Sequence, residues 1–457
     1  MYLQNAMAAI HETCRVPAPS GSAAELSVPL TFFDIRWLHF LHPIRRLLFY
    51  DYPCSKPHFL EAIAPKLKES LSSTLGHYSR AGDLIFPLNS EKKAEIRYVA
   101  GDSAVSLTIA ETGSDFDDLI GNHARDADQF YEFVPQIDPV NDESEYQRVP
   151  VMALKVTLFP GRGICVGFAN LHCLGDASSL VRFIQAWASI NKLGLDEEFL
   201  TKQGESLPIL DRSVIKDPLG IDTIFWKIVK EVPLKSSSFP LPTCRVRATY
   251  ILRQSDIERL KYLVLAKKPG LIQVSSFVVT VSYVWTCLVK SGEQVDDDVL
   301  EYFIFTADIR ARIDPPVPAN YFGNCLGYGA AIIEHKQLVG EQGFVMAVEA
   351  IAGEIKNRVN KKDEVLKGAE NWLSEIKEMT GIRSLGVSGS PKFDLSTADF
   401  GWGRARKLEV VSIDAEKHSI SFCKSRDSEG GLEVGISLPR AEMEAFAAIF
   451  DNGLRLL

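Results

Sequence analysis

Apolar residues recur along this chain with two different periods, and the alternation between them predicts a mixed α/β protein. Phe59, Ile63, Leu67, Leu71 and Leu75 fall at helical spacing, so a helix is expected over 56–75, with Pro57 in the first turn where a helix tolerates it. Residues 95–99 alternate as a strand. Residues 151–158 and 163–169 read as an antiparallel pair turning at Pro160 and Gly161. Beyond a short loop, Leu180, Ile184 and Trp187 mark one face of a helix.

From residue 193 to about 245 the periodicity fades while Gly204, Pro208, Pro218, Ser236 to Ser238, Pro240 and Pro242 accumulate. Such composition predicts a crossing linker over 201–245, separating a domain at 1–200 from one at 246–457. The second half opens with a strand at 247–252 and a helix from about Asp256. Another helix follows from Ser275 or Ser276, both suitable N-caps. Further strands are expected at 301–307, 329–334, 392–394, 408–414, 419–423 and 432–438, with helices over 343–359 and 439–450.

Composition narrows the function. The chain has 457 residues, 46% hydrophobic and 24% charged, as a soluble globular protein has. Its formal net charge of -9 argues against a nucleic-acid partner, which would need a basic surface. The eight cysteines are scattered without a C-x-x-C pair, so reduced thiols and no metal site are expected. No apolar run approaches a membrane span and no leader pattern opens the chain, so a cytosolic monomer is the expectation.

The loop between the strand at 163–169 and the next helix carries His172 and, four residues on, Asp176. A histidine held between a strand end and a helix start is rigidly placed and reachable, as a general base must be. The spacing alone is also met by an N-cap aspartate beside an ordinary loop histidine. Cys173 suggests a nucleophile, but neighbours in an extended loop point to opposite sides, which turns it toward the core. No G-x-S-x-G string is present. Asp399-Phe400-Gly401 begins like a kinase D-F-G, yet no H-R-D loop accompanies it.

Two distant strings add to the His172 loop: Tyr321-Phe322-Gly323-Asn324-Cys325, preceded by Asp308 and Arg310, and Asp399-Phe400-Gly401-Trp402-Gly403. In this order the three segments resemble the plant BAHD acyltransferases, which move an acyl group from a coenzyme A thioester to a hydroxyl or amine. The likeness runs over nearly the whole chain: 28–34, followed by Trp37 and Leu38, resembles the family's opening strand, and Asp211 to Pro218 resembles its inter-domain segment. The Tyr321 to Cys325 string is similar to the branch that acylates, most often malonylates, anthocyanin, flavonoid and phenolic glucosides.

The resemblance implies two similarly folded, chloramphenicol-acetyltransferase-like α/β domains with the active site in a tunnel between them. It implies His172 as base, an acyl-CoA co-substrate with malonyl-CoA favoured, no bound cofactor, and a phenolic or flavonoid glycoside acceptor. Asp176 would pair with Arg310 and hold the loop, and Trp402 would be an oxyanion donor. Asp399, Gly401 and Gly403, with Ser275 and Ser276, would lie on the coenzyme side. Hydroxycinnamoyl, benzoyl or short aliphatic donors, a non-glycosidic acceptor, and a non-catalytic homologue are the alternatives.

Several features differ from the family: Leu171 stands where it has a second histidine, and Ala177 and Ser178 follow Asp176 in place of the commoner glycine. Residues 76–82 lack its Pro-Leu before Ala-Gly. Some malonyltransferases meet the donor carboxylate with an arginine eight residues after the histidine; that position here is Leu180. Arg182 lies about 200° further round the helix. A charged donor would then need another cation, Arg36 or Arg46.

Overall fold

The hairpin Met152–Phe159 and Gly163–Asn170 lies at the middle of a six-stranded sheet. In the computed structural model, residues 8–456 are described apart from 21–23, 40–41, 79–81, 89–90, 195–206, 237, 272–273, 362–363, 380–382 and 416–418. Every residue of Gly163–Asn170 is buried, the consequence of a nearly uninterrupted apolar run covered on both faces. The sheet runs in the order Ala9–Val16, Val105–Glu111, Met152–Phe159, Gly163–Asn170, Ile44–Tyr50 and Lys407–Val410. Helix Ala177–Leu193 packs on helix Ala64–His77, where the Trp187 indole donates to the Leu67 carbonyl at 3.2 Å.

A seven-stranded sheet builds the other half in the order Leu326–Glu334, Leu300–Asp308, Ser384–Ser388, Ser419–Lys424, Leu432–Leu438, Val246–Leu252 and Arg125–Asp126. A five-stranded sheet of Glu25–Pro29, Glu95–Val99, Asp83–Pro87, Tyr146–Pro150 and Asn141–Asp142 completes the molecule. Two strands cross the division at 1–200 and 246–457. Lys407–Val410 extends the first sheet by pairing Leu408 with Leu48, and Arg125 pairs with Arg247 in the second. At this exchange Glu409 sits 3.0 Å from Arg125 and 2.9 Å from Arg247, whose other nitrogen meets Asp414 at 2.6 Å. Buried charges persist only when compensated in this way.

Several elements differ from expectation. The opening strand ends at Pro29, because Thr31 and Asp34 form a capping box that starts helix Phe32–Ile35. The span 56–75 is one helical run containing a π-helical stretch at Phe59–Ile63, and the helix from Gly343 ends in another at Ile355–Val359. Residues 392–394 form a turn, with Asp394 capping the 3-10 turn Leu395–Thr397. The strand expected over 408–414 stops at Val410 and continues as a 3-10 turn. The stretch given to a linker holds a helix, Ile221–Val229, that buries Phe225 and Trp226. Its residues 201–206 lie outside the described ones.

Candidate active site

Between the halves lies a cavity of about 460 Å³, lined by Trp37, Arg46 and His172 from one side and by Phe277, Phe305 and Val387 from the other. His172 enters it from the 3-10 turn His172–Leu174 that follows the central strand. Trp37 stacks on its imidazole, with ring centroids 3.6 Å apart and planes 11° from parallel. Nδ1 is enclosed without a hydrogen-bond partner among the described residues, so Nε2 is the nitrogen left for the cavity. Burial, with the charges of Arg36 and Arg46 adding to it, pushes the imidazole down to about 3. It is therefore neutral at physiological pH and free to accept a proton.

Asp176 does not face the histidine. It caps helix Ala177–Leu193 through the Ser179 N–H, and its carboxylate takes a fork of hydrogen bonds from Arg310 at 2.7 and 3.0 Å. The Cys325 N–H donates to it as well, at 3.1 Å. Arg310 follows strand Leu300–Asp308 in the opposite half and also meets Asp308.

The Tyr321 to Cys325 string closes over the same loop. Asn324 donates from its side chain to the His172 carbonyl at 2.8 Å and to Asp34 at 2.9 Å, which ties the histidine backbone to the N-terminal capping box. Ser179 donates to the Gly323 carbonyl at 2.9 Å, and Arg310 donates there too. A Cβ at Gly323 would stand 1.9 Å from an Arg212 nitrogen, so a larger residue there would displace that guanidinium.

A neutral histidine on an enclosed cavity, clamped by strings brought from three parts of the chain, is the arrangement an acyltransferase needs. Residues 10–452 match the family model described as the Transferase family. The chain belongs to the BAHD acyltransferase family. It is 56% identical over 444 residues to the malonyl-coenzyme:anthocyanin 5-O-glucoside-6'''-O-malonyltransferase of Salvia splendens, covering 96% of this chain and 94% of the other. It is 46% identical to phenolic glucoside malonyltransferase 1 of Nicotiana tabacum, covering 99% and 100%. Among solved structures, vinorine synthase matches with a TM-score of 0.70 at 16% identity, over 96% of each chain, a likeness of fold.

In this acyltransferase the Asp399 to Gly403 loop is held by its own hydrogen bonds and by Lys192. One Asp399 oxygen accepts from the N–H groups of Gly401 and Gly403, both at 2.8 Å, and the other meets Lys192 at 2.7 Å. The two glycines adopt φ of 97° and 81°, open to glycine without strain. Trp402 packs against Tyr50, Tyr52 and Phe400. Tyr50 pairs with Ile164, six residues before Asn170 on the strand that leads to His172. At 3.3 Å per residue, roughly 20 Å of strand separates the Tyr50 backbone from the end that leads to His172. The contacts shown for Trp402 are with this aromatic cluster, and it is not among the residues that line the His172 cavity.

Ser275 caps helix Ser276–Ser291 and Ser276 accepts from Lys261 at 2.9 Å, one residue before the cavity-lining Phe277. Burial pushes the Cys173 thiol far above its ordinary range, with Asp34 adding to the effect. Of the unusual segment 76–82, residues 79–81 lie outside the described ones, and Tyr78 packs edge-on against Phe183 and Phe322. Sequence reasoning missed Trp37 as the stacking partner of His172 and Asn324 as its clamp. Asn324 lay in a recognised string, whereas nothing local marked Trp37. Among the described residues no cluster could hold a metal ion, and no helix is long and apolar enough to cross a membrane.

Proposed function

We propose that this enzyme transfers a malonyl group from malonyl-CoA to a sugar hydroxyl of an anthocyanin, flavonoid or phenolic glucoside, with His172 as general base. The observation that carries the mechanism is the neutral His172 imidazole open to a cavity shared by both halves. Its Nε2 takes the proton of the acceptor hydroxyl as the oxygen attacks the thioester carbonyl. When the tetrahedral intermediate collapses, the C–S bond breaks and the same proton passes to the departing thiolate. Apolar walls at Phe277, Phe305 and Leu326 keep water from competing. A covalent route through Cys173 finds no support, since its thiol is buried and held protonated.

The donor and acceptor rest on the named activities of the relatives at 56% and 46% identity. The position of Ser276, held by Lys261 one residue before the cavity-lining Phe277, supports a coenzyme-side role for Ser275 and Ser276. Unpaired cysteines throughout the described residues fit a reducing, cytosolic setting. A matrix of acyl-CoA donors against flavonoid and simple phenolic glucosides, read by product mass, tests the reading. A mass increase of one malonyl unit on a glucoside is the expected product, and transfer confined to aglycones would overturn it.

A further inference from the structure

Three cations line the cavity around His172, and one of them is uncommitted. Arg312 donates to the Asp308 carbonyl, and Lys392 lies 3.4 Å from the Asp308 carboxylate. The carboxylates that share the cavity, Asp176 and Asp308, are both held by Arg310. Arg46 makes no hydrogen bond or ion pair among the described residues. Alternation along strand Ile44–Tyr50 separates it from Arg45, which lies over Phe239 on the opposite face of the sheet. Ile44 pairs with Asn170, two residues before His172, so Arg46 and the imidazole approach the cavity from adjacent strands.

An enclosed guanidinium without a counter-ion costs several kcal/mol and is retained where something bound completes it. Burial brings Arg46 down to about 10, so it stays charged at neutral pH. A second guanidinium stands nearby, within reach of the Asp34 charge but bonded to no carboxylate among the described residues. Arg36 lies 4.7 Å from the centre of the Trp37 ring that stacks on His172, and none of its three nitrogens has a hydrogen-bond partner among the described residues. Two guanidinium groups, Arg46 and Arg36, therefore stand close to the imidazole without a carboxylate in hydrogen-bond contact among the described residues. Coenzyme A phosphates cannot supply the missing charge there, because a whole pantetheine arm separates them from the thioester.

We infer that Arg46 pairs with a free carboxylate on the transferred acyl group, and that the donor class is a short ω-carboxyacyl thioester. The inference rests on the acyl-transfer reading above and gives that reading its donor-selecting residue. Arg46 touches the terminal carboxylate, while His172 acts at the thioester carbon. Leu180 takes no part, being packed in the core at 2% exposure.

Initial rates with malonyl-CoA and acetyl-CoA over one glucoside acceptor, for wild type, Arg46→Leu, Arg46→Gln and Arg46→Lys, test this. Wild type should prefer malonyl-CoA. Arg46→Leu and Arg46→Gln should each lower kcat/KM for malonyl-CoA by about 10²-fold, the scale of losing one partner of a desolvated ion pair, and should lower the malonyl-to-acetyl ratio of kcat/KM by at least about tenfold. Arg46→Lys should recover part of the malonyl rate. Thermal melting identifies a variant that fails to fold, and the glutamine variant then decides. Equal losses with both donors, or a malonyl preference that survives both substitutions, would overturn the role of Arg46 and leave the proposed reaction standing. A wild type that uses acetyl-CoA as readily as malonyl-CoA would remove the malonyl reading itself, and the role of Arg46 with it.

Discussion

Asp176 and Arg310, 134 residues apart in sequence, form a buried two-pronged ion pair that fastens the His172 loop to the opposite half of the molecule. Both side chains are almost fully enclosed, at 1% and 4% exposure, so removing one leaves the other charged and unpaired. Asp176→Ala should cost about 3–5 kcal/mol of stability and nearly all activity. A double variant with Arg310→Ala should cost less than the sum of the two single changes. Lost activity with an unchanged melting curve would instead give Asp176 a direct chemical role.

His172→Ala should lower kcat by roughly 10²- to 10⁴-fold, the usual worth of a positioned base, while acyl-CoA binding measured by calorimetry stays close to wild type. Near-normal turnover would remove the histidine from the mechanism.

The pH dependence follows from the depressed imidazole. Its folded value of about 3 lies below the ordinary 6.5, so between those values the unfolded chain binds the proton and the folded chain does not. The stability contribution is whole above about pH 6.5 and is lost progressively as pH falls toward 3. For the same reason kcat/KM should show no histidine limb between pH 8 and about 5.5. An acid limb centred near 6.5 would mean that the ring is solvated.

Trp402→Phe removes the indole N–H while keeping an aromatic ring among Tyr50, Tyr52 and Phe400. With roughly 20 Å of strand between Tyr50 of this cluster and the end that leads to His172, kcat should stay within about threefold of wild type. An oxyanion donor would cost about 10²- to 10³-fold, so one steady-state comparison separates the two roles.

Gly323→Ala drives a methyl group into Arg212 and should destabilise the protein by about 1–3 kcal/mol, with a fall in kcat as the Asn324 clamp shifts. Gly353→Ala provides the contrast. It lies in helix Gly343–Glu354 with open space around its Cβ position, so its melting temperature should be unchanged or higher.

The elements best read from the chain are those that local periodicity dictates. The hairpin at 152–170, the helix capped by Asp176, the helix capped by Ser275 and the strand at 432–438 were all legible, because burial on one or both faces imprints directly on neighbouring residues. The capping box at Thr31 and Asp34 was legible too, but the apolar Phe32 and Phe33 between them read as strand. The helix Ile221–Val229 was hidden by the prolines and serines on either side of it.

By itself the sequence determined the family, the mixed α/β class and a histidine poised at the end of a central strand, since each follows from short strings or from spacing along one segment. Only the tertiary structure decided what that histidine meets. Trp37 on its ring, Asn324 on its carbonyl and the unpartnered Arg46 beside it come from separate stretches of chain. The exchange of edge strands between the sheets, and the aromatic cluster that surrounds Trp402, are decided in the same way. The reason is physical: spacing along a chain governs which face a residue presents, whereas contacts between remote segments depend on how whole sheets and helices pack.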